Sequence, residues 1–412
     1  MRRVAITGMG AVCGLGHNLN DVWNGIIAGK SGISKITPGV LDGPVEIAGE
    51  VKNFILHEQA LPAKEVSRYD KFLHYALAGS YEAYHHANLT KDSYPAERIG
   101  CILGVGMGGI PEVERVKDVF NAKGHRRVSP FFIPAIIPNM ASGLVSIQLN
   151  LQGLNYTIAS ACASAGHAIG NAATEIMLGR QDVVISGGSE SVICDLPVSG
   201  FNNMKALSRR YDEPEKASRP FDLARDGFVI GEGAGVLVLE DLEKAKARGA
   251  TIYAEVVGFG ASSDAHHITA PHPNGDGAYH CMQQAMTMAG IGPQQIDYIN
   301  AHGTSTPLGD IAEIKAIKRA FQEHAKTLKV SSTKSMTGHL LGAAAGIETI
   351  FCAMALHTGI IPPTANLEQQ DPLCDLDCVA NKAVHQQIAY ALNNSFGFGG
   401  TNSSTILKAY KK

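Results

Sequence analysis

The chain has little net charge and few charged side chains for its length. Of 412 residues, 35 are Lys or Arg and 38 are Asp or Glu, which leaves a formal net charge of −3. This balance argues against a nucleic-acid binder whose affinity depends on positive charge over the whole molecule. Charged residues make up 18% of the chain, against roughly 25% in ordinary soluble domains. The composition therefore predicts a folded protein with a large buried core.

The sequence also lacks long apolar runs and a regular cysteine pattern. No run reaches the ~18 apolar residues of a membrane-spanning helix, so no membrane interaction is expected. The apolar segment after Arg3 is broken by glycines, which indicates a strand rather than a signal peptide. Cys374 and Cys378 have no further Cys or His at zinc spacing, so we predict no metal site. Eight scattered cysteines are typical of free thiols in a reducing compartment, and we predict a cytoplasmic protein.

Two parts of the sequence repeat one another. Residues 160–172 and 332–344 both begin with Ser and continue as Gly-His-x-x-Gly-x-Ala. A second echo relates Ile-Thr-Gly-Met-Gly at 6–10 to Val-Val-Gly-Phe-Gly at 256–260. The repeats predict two related α/β halves, residues 1–250 and 251–412, with insertions in the first half.

Apolar strands alternate with helical segments along both halves. This order predicts sheets that are covered by helices on both faces. Within it, 163–173 and 340–346 are rich in Ala and Gly, although Gly costs about 1 kcal/mol inside a helix. Close packing would offset that cost, so we expect these two helices back to back at the centre, with their N-termini meeting. We predict strands at 3–7, 99–103, 183–186, 236–240, 253–257, 298–301 and 388–393, and helices at 22–28, 70–87, 163–179, 277–289, 309–322 and 340–357.

Cys162 is placed where a predicted strand turns into a helix. Free backbone N–H groups and the positive end of the helix dipole favour an anion at such a position. The thiol should ionise more easily there and act as a nucleophile. The same N–H groups could hold an oxyanion. We interpret five of the remaining cysteines as small buried hydrophobes, namely Cys13, Cys101, Cys194, Cys281 and Cys352.

Two histidines and one lysine are in similarly informative positions. His302 follows a predicted strand, where the sites of α/β proteins collect. The repeat puts Lys334 opposite Cys162 and His339 opposite His167. We therefore predict a single site at the junction of the halves that combines Cys162, His302, Lys334 and His339. His167 lies inside its helix and is interpreted as structural.

Two glycine-rich segments have different interpretations. Residues 104–109 match Gly-x-Gly-x-x-Gly after a strand, as in dinucleotide-binding proteins. The acidic residue expected about 20 positions later is missing, and residues 124–127 read Gly-His-Arg-Arg instead. A dinucleotide site is therefore not expected. Residues 395–402 surround Phe398 with small residues, which indicates a loop close to a ligand with a phenyl ring as a lid.

Four motifs in order resemble the β-ketoacyl-acyl-carrier-protein synthases, most closely the synthase II type of bacterial fatty acid synthesis. They are Thr-Ile-Ala-Ser-Ala-Cys-Ala-Ser at 157–164, His-Gly-Thr-Ser-Thr at 302–306, Lys-Ser-Met-Thr-Gly-His at 334–339 and Gly-Phe-Gly-Gly-Thr-Asn at 397–402. The resemblance extends from Arg3 to Leu407. It implies the thiolase fold, a duplicated αβαβα arrangement of five layers, and a homodimer.

The resemblance also implies an activity and a role for each matched residue. The activity is decarboxylative condensation of malonyl carrier protein with an enzyme-bound acyl chain. The resemblance implies no metal and no redox cofactor. Phosphopantetheine arrives as part of the carrier protein. In the catalytic group, the resemblance implies that Cys162 is the acyl-accepting nucleophile, that His302 and His339 assist decarboxylation, and that Lys334 is their charged support. It also implies that Phe398, beside Gly399, is the gating residue and that the N–H groups of Cys162 and Phe398 form the oxyanion hole. For substrate binding it implies a pantetheine channel lined by Thr304 and Thr306 and an acyl pocket at Met107, where Ile is usual.

A basic surface is expected where the carrier docks, because carrier proteins of this family are acidic. Lys64, Arg68 and Lys71 have the spacing of one helical face. Further positive charge comes from Arg126, Arg127, Lys205, Arg209 and Arg210.

Related roles remain as alternatives. A synthase I type or a polyketide ketosynthase would have a very similar sequence. A different class is a non-catalytic partner subunit like a chain-length factor, but such subunits lack the nucleophile that Cys162 provides here. Thiolases carry a second Cys near the C-terminus, and no Cys follows Cys378. The synthase III type pairs its Cys with one His and an Asn, unlike the two-His pattern of this chain.

Overall fold

The computed structural model describes residues 1–411. Ten of its strands form one continuous sheet, and two short hairpin-like pairs lie outside it. The strands are β1 (Val4–Val12), β2 (Ser34–Lys35), β3 (Ile47–Ala48), β4 (Ile99–Gly104), β5 (Asn155–Ile158), β6 (Val183–Glu190), β7 (Gly233–Asp241), β8 (Ala254–Ser263), β9 (Tyr298–Asn300), β10 (Lys329–Ser331), β11 (Ile360–Ile361), β12 (Val384–His385), β13 (Tyr390–Gly397) and β14 (Thr401–Ala409).

The helices alternate with these strands, as the apolar pattern predicted. Short 3₁₀ turns join several of them. The α-helices are α1 (Leu19–Ile27), α2 (Ala63–Val66), α3 (Lys71–His86), α4 (Ile110–Lys123), α5 (Phe132–Ile136), α6 (Met140–Leu149), α7 (Ser164–Met177), α8 (Asp195–Asn203), α9 (Leu242–Ala247), α10 (Asp276–Ala289), α11 (Pro307–Phe321), α12 (Lys334–Thr337) and α13 (Ala344–Thr358).

The sheet contains the same five-strand pattern twice. The first set has the order β1-β7-β6-β4-β5 and the second has β8-β14-β13-β9-β10. In both sets the first two pairings are antiparallel and the last two are parallel. The sets join through a short antiparallel pairing of β1 with β8. The repeat seen in the sequence is therefore a repeat of the topology.

Helices fill the space on both sides of each five-strand set. α7 contacts β4 and β6 of the first set and β8 and β14 of the second, and α13 also contacts both sets. α3 and α6 cover the outer face of the first set, whereas α10 and α11 lie outside the second. The result is the five-layered, duplicated αβαβα architecture that the sequence predicted.

The two Ala- and Gly-rich helices meet at the centre of the molecule. A Cβ added at Gly166 of α7 would lie 2.1 Å from Oγ of Ser403 in β14, and at an ordinary contact distance of 3.4 Å from the Cβ of Ala345 in α13. One added at Gly235 in β7 would lie 2.1 Å from the backbone nitrogen of Ile347. Because side chains at such positions would force the backbones apart, the small residues allow the close packing that offsets their poor helix propensity. The predicted central pair of helices is confirmed.

Several element boundaries differ from the predictions because of tertiary contacts. β1 continues to Val12 past two glycines. Glycine is required in this strand because α3 packs directly against it: a Cβ at Gly8 would lie 2.2 Å from the carbonyl oxygen of Ala83. β14 was not predicted, because its polar Thr-Asn-Ser-Ser-Thr start does not alternate with apolar residues. It forms because β13 and β8 pair with it on both sides. α4, α6 and α8 were also missed.

One helical segment is long and apolar enough to cross a membrane. Residues Leu341–Thr358 have a mean hydropathy of 1.3, and 83% of this window is buried inside the protein. The core helix of a globular protein passes the same test, because burial between two sheets requires apolar residues on every side. This segment includes α13, which lies between the two strand sets.

The buried carboxylate of Asp182 binds basic side chains from several elements at one end of the first five-strand set. It accepts hydrogen bonds from Arg98 at 2.9 and 3.0 Å, from Lys244 at 2.6 Å and from Arg2 at 3.0 Å. Arg98, followed by Lys244 and Arg2, holds the pKa of Asp182 far below its ordinary value of 3.8. The ion pairs connect the beginnings of β1, β4 and β6 with α9.

We expect Asp182→Asn to lower the free energy of unfolding at pH 7 by about 2 kcal/mol, the range for hydrogen bonds to charged groups. A carboxyl with a depressed folded-state pKa stabilises above its unfolded pKa, and the contribution is lost as pH falls through the folded value. The variant should therefore lose less stability than the wild type when urea unfolding is repeated below about pH 4. Glu243→Gln, which removes an exposed pair with Lys246, is the control. Equal acid sensitivity of wild type and Asp182→Asn would contradict the assignment.

Candidate active site

The turn that carries Cys162 is unusual in its backbone. β5 ends at Ile158, and Ala161 has a left-handed φ of +48°. An L-residue in this region is strained, and such strain is typical of functional sites. Ser164 stabilises the turn, because its hydroxyl accepts the N–H of Ser160 at 2.9 Å and donates to the Ala161 carbonyl at 2.6 Å. The turn thereby fixes the direction of the Cys162 side chain at the start of α7.

His167, predicted to be structural, supports the same turn. Its Nε2–H donates to the Asn402 carbonyl at 3.2 Å, which leaves Nδ1 to accept the Ser160 hydroxyl at 2.7 Å. His167 therefore connects the segment before Cys162 with β14.

The thiol of Cys162 has charged and polar neighbours but is strongly desolvated. Its Sγ lies 3.1 Å from Nε2 of His339. Burial raises the pKa of the Cys162 thiol to about 12, while the charge of Lys334 and the N–H groups of Cys162 and Phe398 act in the opposite direction. Desolvation and the helix N-terminus therefore have opposite effects on the pKa of the thiol, and the nucleophilic role of Cys162 stays a prediction. The two N–H groups that face the sulfur are those predicted for an oxyanion hole.

His339 is buried and oriented by its own turn. Its Nδ1 accepts the N–H of Leu341 at 3.3 Å, so the neutral ring carries its proton on Nε2 and donates it toward Cys162. Burial first, and then Lys334, keep the pKa of His339 well below its ordinary value. The ring packs edge-on against His302 at 5.4 Å and against Phe228 at 5.5 Å. His339 is thus a neutral hydrogen-bond donor at neutral pH.

His302 follows β9 and is also held neutral. Burial, Lys334 and His339 lower its pKa well below the ordinary value. Among residues 1–411, no group bonds its buried Nδ1. Its backbone N–H and that of Gly303 donate to Glu313 at 2.9 and 2.7 Å. The carboxylate of Glu313, whose pKa burial raises to about 7, therefore positions the loop that carries His302.

Lys334 forms a buried ion pair beneath the two imidazoles. Its Nζ donates to Oε1 of Glu348 at 2.5 Å, and each side chain is 1% exposed. Burial raises the pKa of Glu348 to about 7, although Lys334 lowers it. The structure brings Cys162, His302, Lys334 and His339 to one place, as predicted from the repeat.

The glycine-rich segment around Phe398 closes over the nucleophile turn. A Cβ at Gly397 would lie 3.1 Å from the backbone nitrogen of Cys162, so only glycine lets the two backbones approach. Gly399 has a φ of +83° and donates its N–H to the Ile268 carbonyl at 2.8 Å. The Phe398 side chain is 37% exposed and its ring lies 6.2 Å from that of Phe201. The phenyl ring is therefore partly exposed and lies beside Phe201, which packs against the same apolar cluster as Cys162.

The predicted substrate-binding residues lie on segments next to the four grouped side chains: Thr304 and Thr306 follow His302 in the chain, and Met107 packs against the same apolar cluster as Cys162. The hydroxyls of Thr304 and Thr306 lie 3.1 Å apart, on either side of Ser305, which has a left-handed φ of +70°. Met107 packs in the same apolar cluster as Cys162 and Phe201. These positions are compatible with the channel and the acyl pocket that the resemblance implied.

The Gly-x-Gly-x-x-Gly segment has an internal partner instead of a phosphate. Glu190 at the end of β6 accepts the N–H groups of Gly106, Met107 and Gly108 at 2.7, 3.2 and 3.3 Å. The N–H groups that would bind a pyrophosphate are thus occupied. Sequence reasoning missed Glu190, Glu313 and Glu348, since isolated buried glutamates have no local pattern that distinguishes them from surface ones.

The basic residues predicted for docking lie on a less regular surface. Lys64 belongs to α2 and Lys71 begins α3, so the prediction of one helical face for them and Arg68 is wrong. The helix is interrupted because Asp70 caps α3, accepting the N–H of Phe72 at 3.2 Å. Arg68 stacks 4.7 Å above the ring of Phe131. Four of the other predicted docking residues are exposed, namely Arg126, Arg127, Lys205 and Arg209, and Arg210 is half-buried.

No three His, Cys, Asp or Glu side chains within 1–411 cluster as a metal ion would require. All eight cysteines are free; seven are buried, and Cys162 is of intermediate exposure.

A duplicated αβαβα fold with a thiol, two imidazoles and a buried lysine defines the class of thiolase-fold condensing enzymes. Comparison with known families agrees. Residues 1–245 match the β-ketoacyl synthase N-terminal domain and residues 253–368 match the corresponding C-terminal domain. The chain therefore belongs to the β-ketoacyl synthase family.

Similar proteins and solved structures match nearly the full length of the chain. It is 48% identical over 407 residues to "3-oxoacyl-[acyl-carrier-protein] synthase 2" of Coxiella burnetii, covering 98% of both chains. Identity to the protein of the same name from Staphylococcus aureus is 48%, over 100% of this chain and 99% of that one. A β-ketoacyl synthase from Burkholderia phymatum superimposes with a TM-score of 0.91 at 34% identity, covering 100% of both chains. A type II polyketide ketosynthase, solved with its acyl carrier protein, gives 0.91 at 33% identity and the same coverage.

Proposed function

We propose that the chain condenses malonyl carrier protein with an acyl group held on Cys162, releases CO₂ and elongates a fatty acyl chain by two carbons. The observation that carries this proposal is the contact of Cys162 with His339, beside His302 and above the Lys334–Glu348 pair. A nucleophile, two neutral donors and a buried cation are the groups that acyl transfer and decarboxylation require.

In the first half-reaction, the sulfur of Cys162 attacks the thioester of an acyl carrier protein. The new carbon–sulfur bond replaces the bond to phosphopantetheine, and the thiol proton passes to the departing carrier thiol. The N–H groups of Cys162 and Phe398 face the sulfur, so they are placed to hold the oxyanion of the tetrahedral intermediate.

In the second half-reaction, malonyl carrier protein loses CO₂ and forms an enolate. His302 and His339 are neutral, and the Nε2–H of His339 is oriented by Leu341. Two such donors stabilise negative charge on the thioester oxygen. The enolate carbon then attacks the Cys162 thioester, which releases the β-ketoacyl carrier protein and restores the thiol after uptake of one proton.

The reaction as proposed uses no metal and no redox cofactor. The thioester bond and the loss of CO₂ provide the driving force, and no electrons are transferred between donor and acceptor. Phosphopantetheine enters as part of the carrier substrate, along a channel that we assign to Thr304 and Thr306.

The acyl carrier protein is the proposed partner. A ketosynthase of this fold has been solved with its carrier protein, at 33% identity to the chain. Exposed Lys64, Lys71 and Lys205 offer positive charge to an acidic carrier. We assign docking also to Arg68, Arg126 and Arg127.

We further propose a homodimer whose subunits each contain two units, 1–250 and 251–412. Within the described residues, β5 is a sheet edge that pairs with β4 alone. Nearby, Ile133 in α5 and Ile147 in α6 are 56% and 69% exposed. An unpaired edge beside exposed apolar side chains favours pairing with a second copy. A solution mass of 43.6 kDa, that of one chain, would contradict the dimer.

The cytoplasm is the proposed compartment, since eight free cysteines are typical of a reducing environment. Recovery of the protein with the membrane fraction would contradict it. Identity favours fatty acid elongation over polyketide synthesis, because it is 48% to the synthase 2 relatives and 33% to the type II polyketide ketosynthase.

The proposal is tested by supplying the purified protein with malonyl carrier protein and a series of saturated acyl carriers from hexanoyl to hexadecanoyl, plus a hexadecenoyl carrier. We expect products two carbons longer and one CO₂ for each. Iodoacetamide labelling of Cys162 should remove the activity. Elongation by the fully labelled protein, or no elongation of any primer by the unlabelled one, would contradict the function.

A further inference from the structure

Glu190 is a buried carboxylate whose partners are backbone N–H groups. Its Oε2 accepts Gly106 at 2.7 Å and Gly342 at 3.2 Å, while Oε1 accepts Met107 and Gly108 at 3.2 and 3.3 Å. The side chain is 0% exposed, and it forms no ion pair within 1–411. Burial raises the pKa of Glu190 to about 7, and the four N–H donors offset this desolvation only in part. Each donor belongs to a segment that must stay in place for its hydrogen bond to form.

The carboxylate joins two segments that are distant in sequence. One follows β4 in the first half and includes Met107, which packs in the apolar cluster with Cys162. The other precedes α13 in the second half and includes Leu341, whose N–H orients His339. A single side chain therefore spans the acyl pocket and the turn of a catalytic imidazole.

The glycines on either side leave room for nothing larger. A Cβ at Gly342 would lie 2.3 Å from the Gly106 nitrogen and 2.5 Å from Oε2 of Glu190. A Cβ at Gly106 would lie 2.4 Å from the same oxygen. Because the two backbones and the carboxylate are in direct contact, a shift of Glu190 changes its hydrogen bonds to the Met107 segment and to the Leu341–Gly342 segment at the same time.

We infer that Glu190 is a positioning residue that sets which acyl chain lengths the pocket accepts, by fixing Met107 relative to Cys162 and the His339 turn. The inference rests on the proposed function, since it names a determinant of that reaction's acyl specificity. A residue that is hydrogen-bonded to two segments of a site affects the reaction through the positions of those segments. A displacement of the reacting groups by ~1 Å costs about 100-fold in rate.

The test compares Glu190→Gln with wild type. Each carboxylate oxygen accepts two N–H groups, so the N–H₂ group of the amide opposes two donors. Two of the four hydrogen bonds are therefore lost while the side-chain shape stays. We expect kcat/KM for elongation to fall about 100-fold. The preference between hexanoyl and hexadecanoyl carriers should change by about 10-fold, the discrimination that small changes in an apolar pocket produce. A general loss of folded protein would lower both substrates equally and leave the preference unchanged.

Two further variants complete the design. Glu82→Gln is the matched control, because Glu82 also accepts two backbone N–H groups, from Ala11 and Leu19 at 2.9 and 2.8 Å, outside the site. It should keep the wild-type preference. Glu190→Asp keeps the charge but is one methylene too short for all four donors, so it should change the preference in the same direction as Glu190→Gln.

The outcomes separate the inference from the proposed function. Wild type that elongates both primers, together with Glu190→Gln and Glu190→Asp variants of unchanged preference, overturns the inference alone. If Glu190→Gln does not fold, Glu190→Asp decides by the same measurement. Wild type that elongates neither primer overturns the proposed function first.

Discussion

Cys162→Gln is expected to lower chain elongation by about 10⁴-fold or more, because no thioester can form on the amide. Decarboxylation of malonyl carrier protein should continue in this variant. The Gln side chain has nearly the length of an acylated cysteine, and its carbonyl can accept the N–H groups of Cys162 and Phe398 that face the native sulfur. His302 and His339 then remain available to the enolate. Release of labelled CO₂ and product formation are measured separately.

The histidine variants provide the contrast. His302→Ala and His339→Ala each remove one donor to the enolate oxygen, which costs about 10²- to 10³-fold. Both should reduce CO₂ release together with elongation. Elongation by Cys162→Gln would disprove the assignment of Cys162 as the nucleophile. CO₂ release at the wild-type rate from both histidine variants would disprove the assignment of His302 and His339 as donors to the enolate.

Lys334→Met is expected to destabilise the protein by about 3–5 kcal/mol, the cost of breaking a buried ion pair. It leaves Glu348 in the core with one carboxylate oxygen already unbonded within the described structure. The pKa of Glu348 is raised by burial from an ordinary 4.5 to about 7. A raised folded-state pKa means that stability is lost as pH rises through it. Without Lys334 the pKa of Glu348 rises further, so the stability difference between wild type and variant should stay nearly constant from pH 5 to about pH 7 and grow above it.

A double variant separates stability from function. Lys334→Met with Glu348→Leu replaces both charges by apolar groups, which is often neutral for stability. Urea unfolding should place it within ~1 kcal/mol of wild type. Its Cys162 should react with iodoacetamide only at higher pH than in wild type, because the Lys334 charge that lowers the thiol pKa is gone. A double variant as unstable as Lys334→Met would show that the ion pair is not the cause of the loss.

The agreement between sequence and structure is closest where local patterns repeat. The two Gly-His-x-x-Gly-x-Ala segments predicted the duplication, and strand-to-helix turns predicted where Cys162 and Lys334 would meet. The strand 401–409 was missed because its buried Ser and Thr side chains have no apolar alternation. Its place between β13 and β8 comes from pairing on both edges, which no window of sequence contains.

The pKa of the Cys162 thiol shows a second limit on what could be predicted from the sequence. The position of Cys162 before α7 predicted an acidic thiol, whereas burial raises its pKa to about 12. A helix N-terminus is a local feature, and its effect could be anticipated. Desolvation depends on how many atoms from other elements surround the sulfur, and those come from both halves of the chain.

The order of residues along the chain established which chemical groups are available and that they occur in two related halves. It also placed each group at a strand end or helix start, because those positions follow from local hydrophobic periodicity and glycine content. The tertiary structure decided the protonation of the thiol, the orientation of His339 by Leu341, and the attachment of Glu190 to four distant amides. These depend on contacts between segments far apart in sequence, where burial changes the energy of every charge and hydrogen bond.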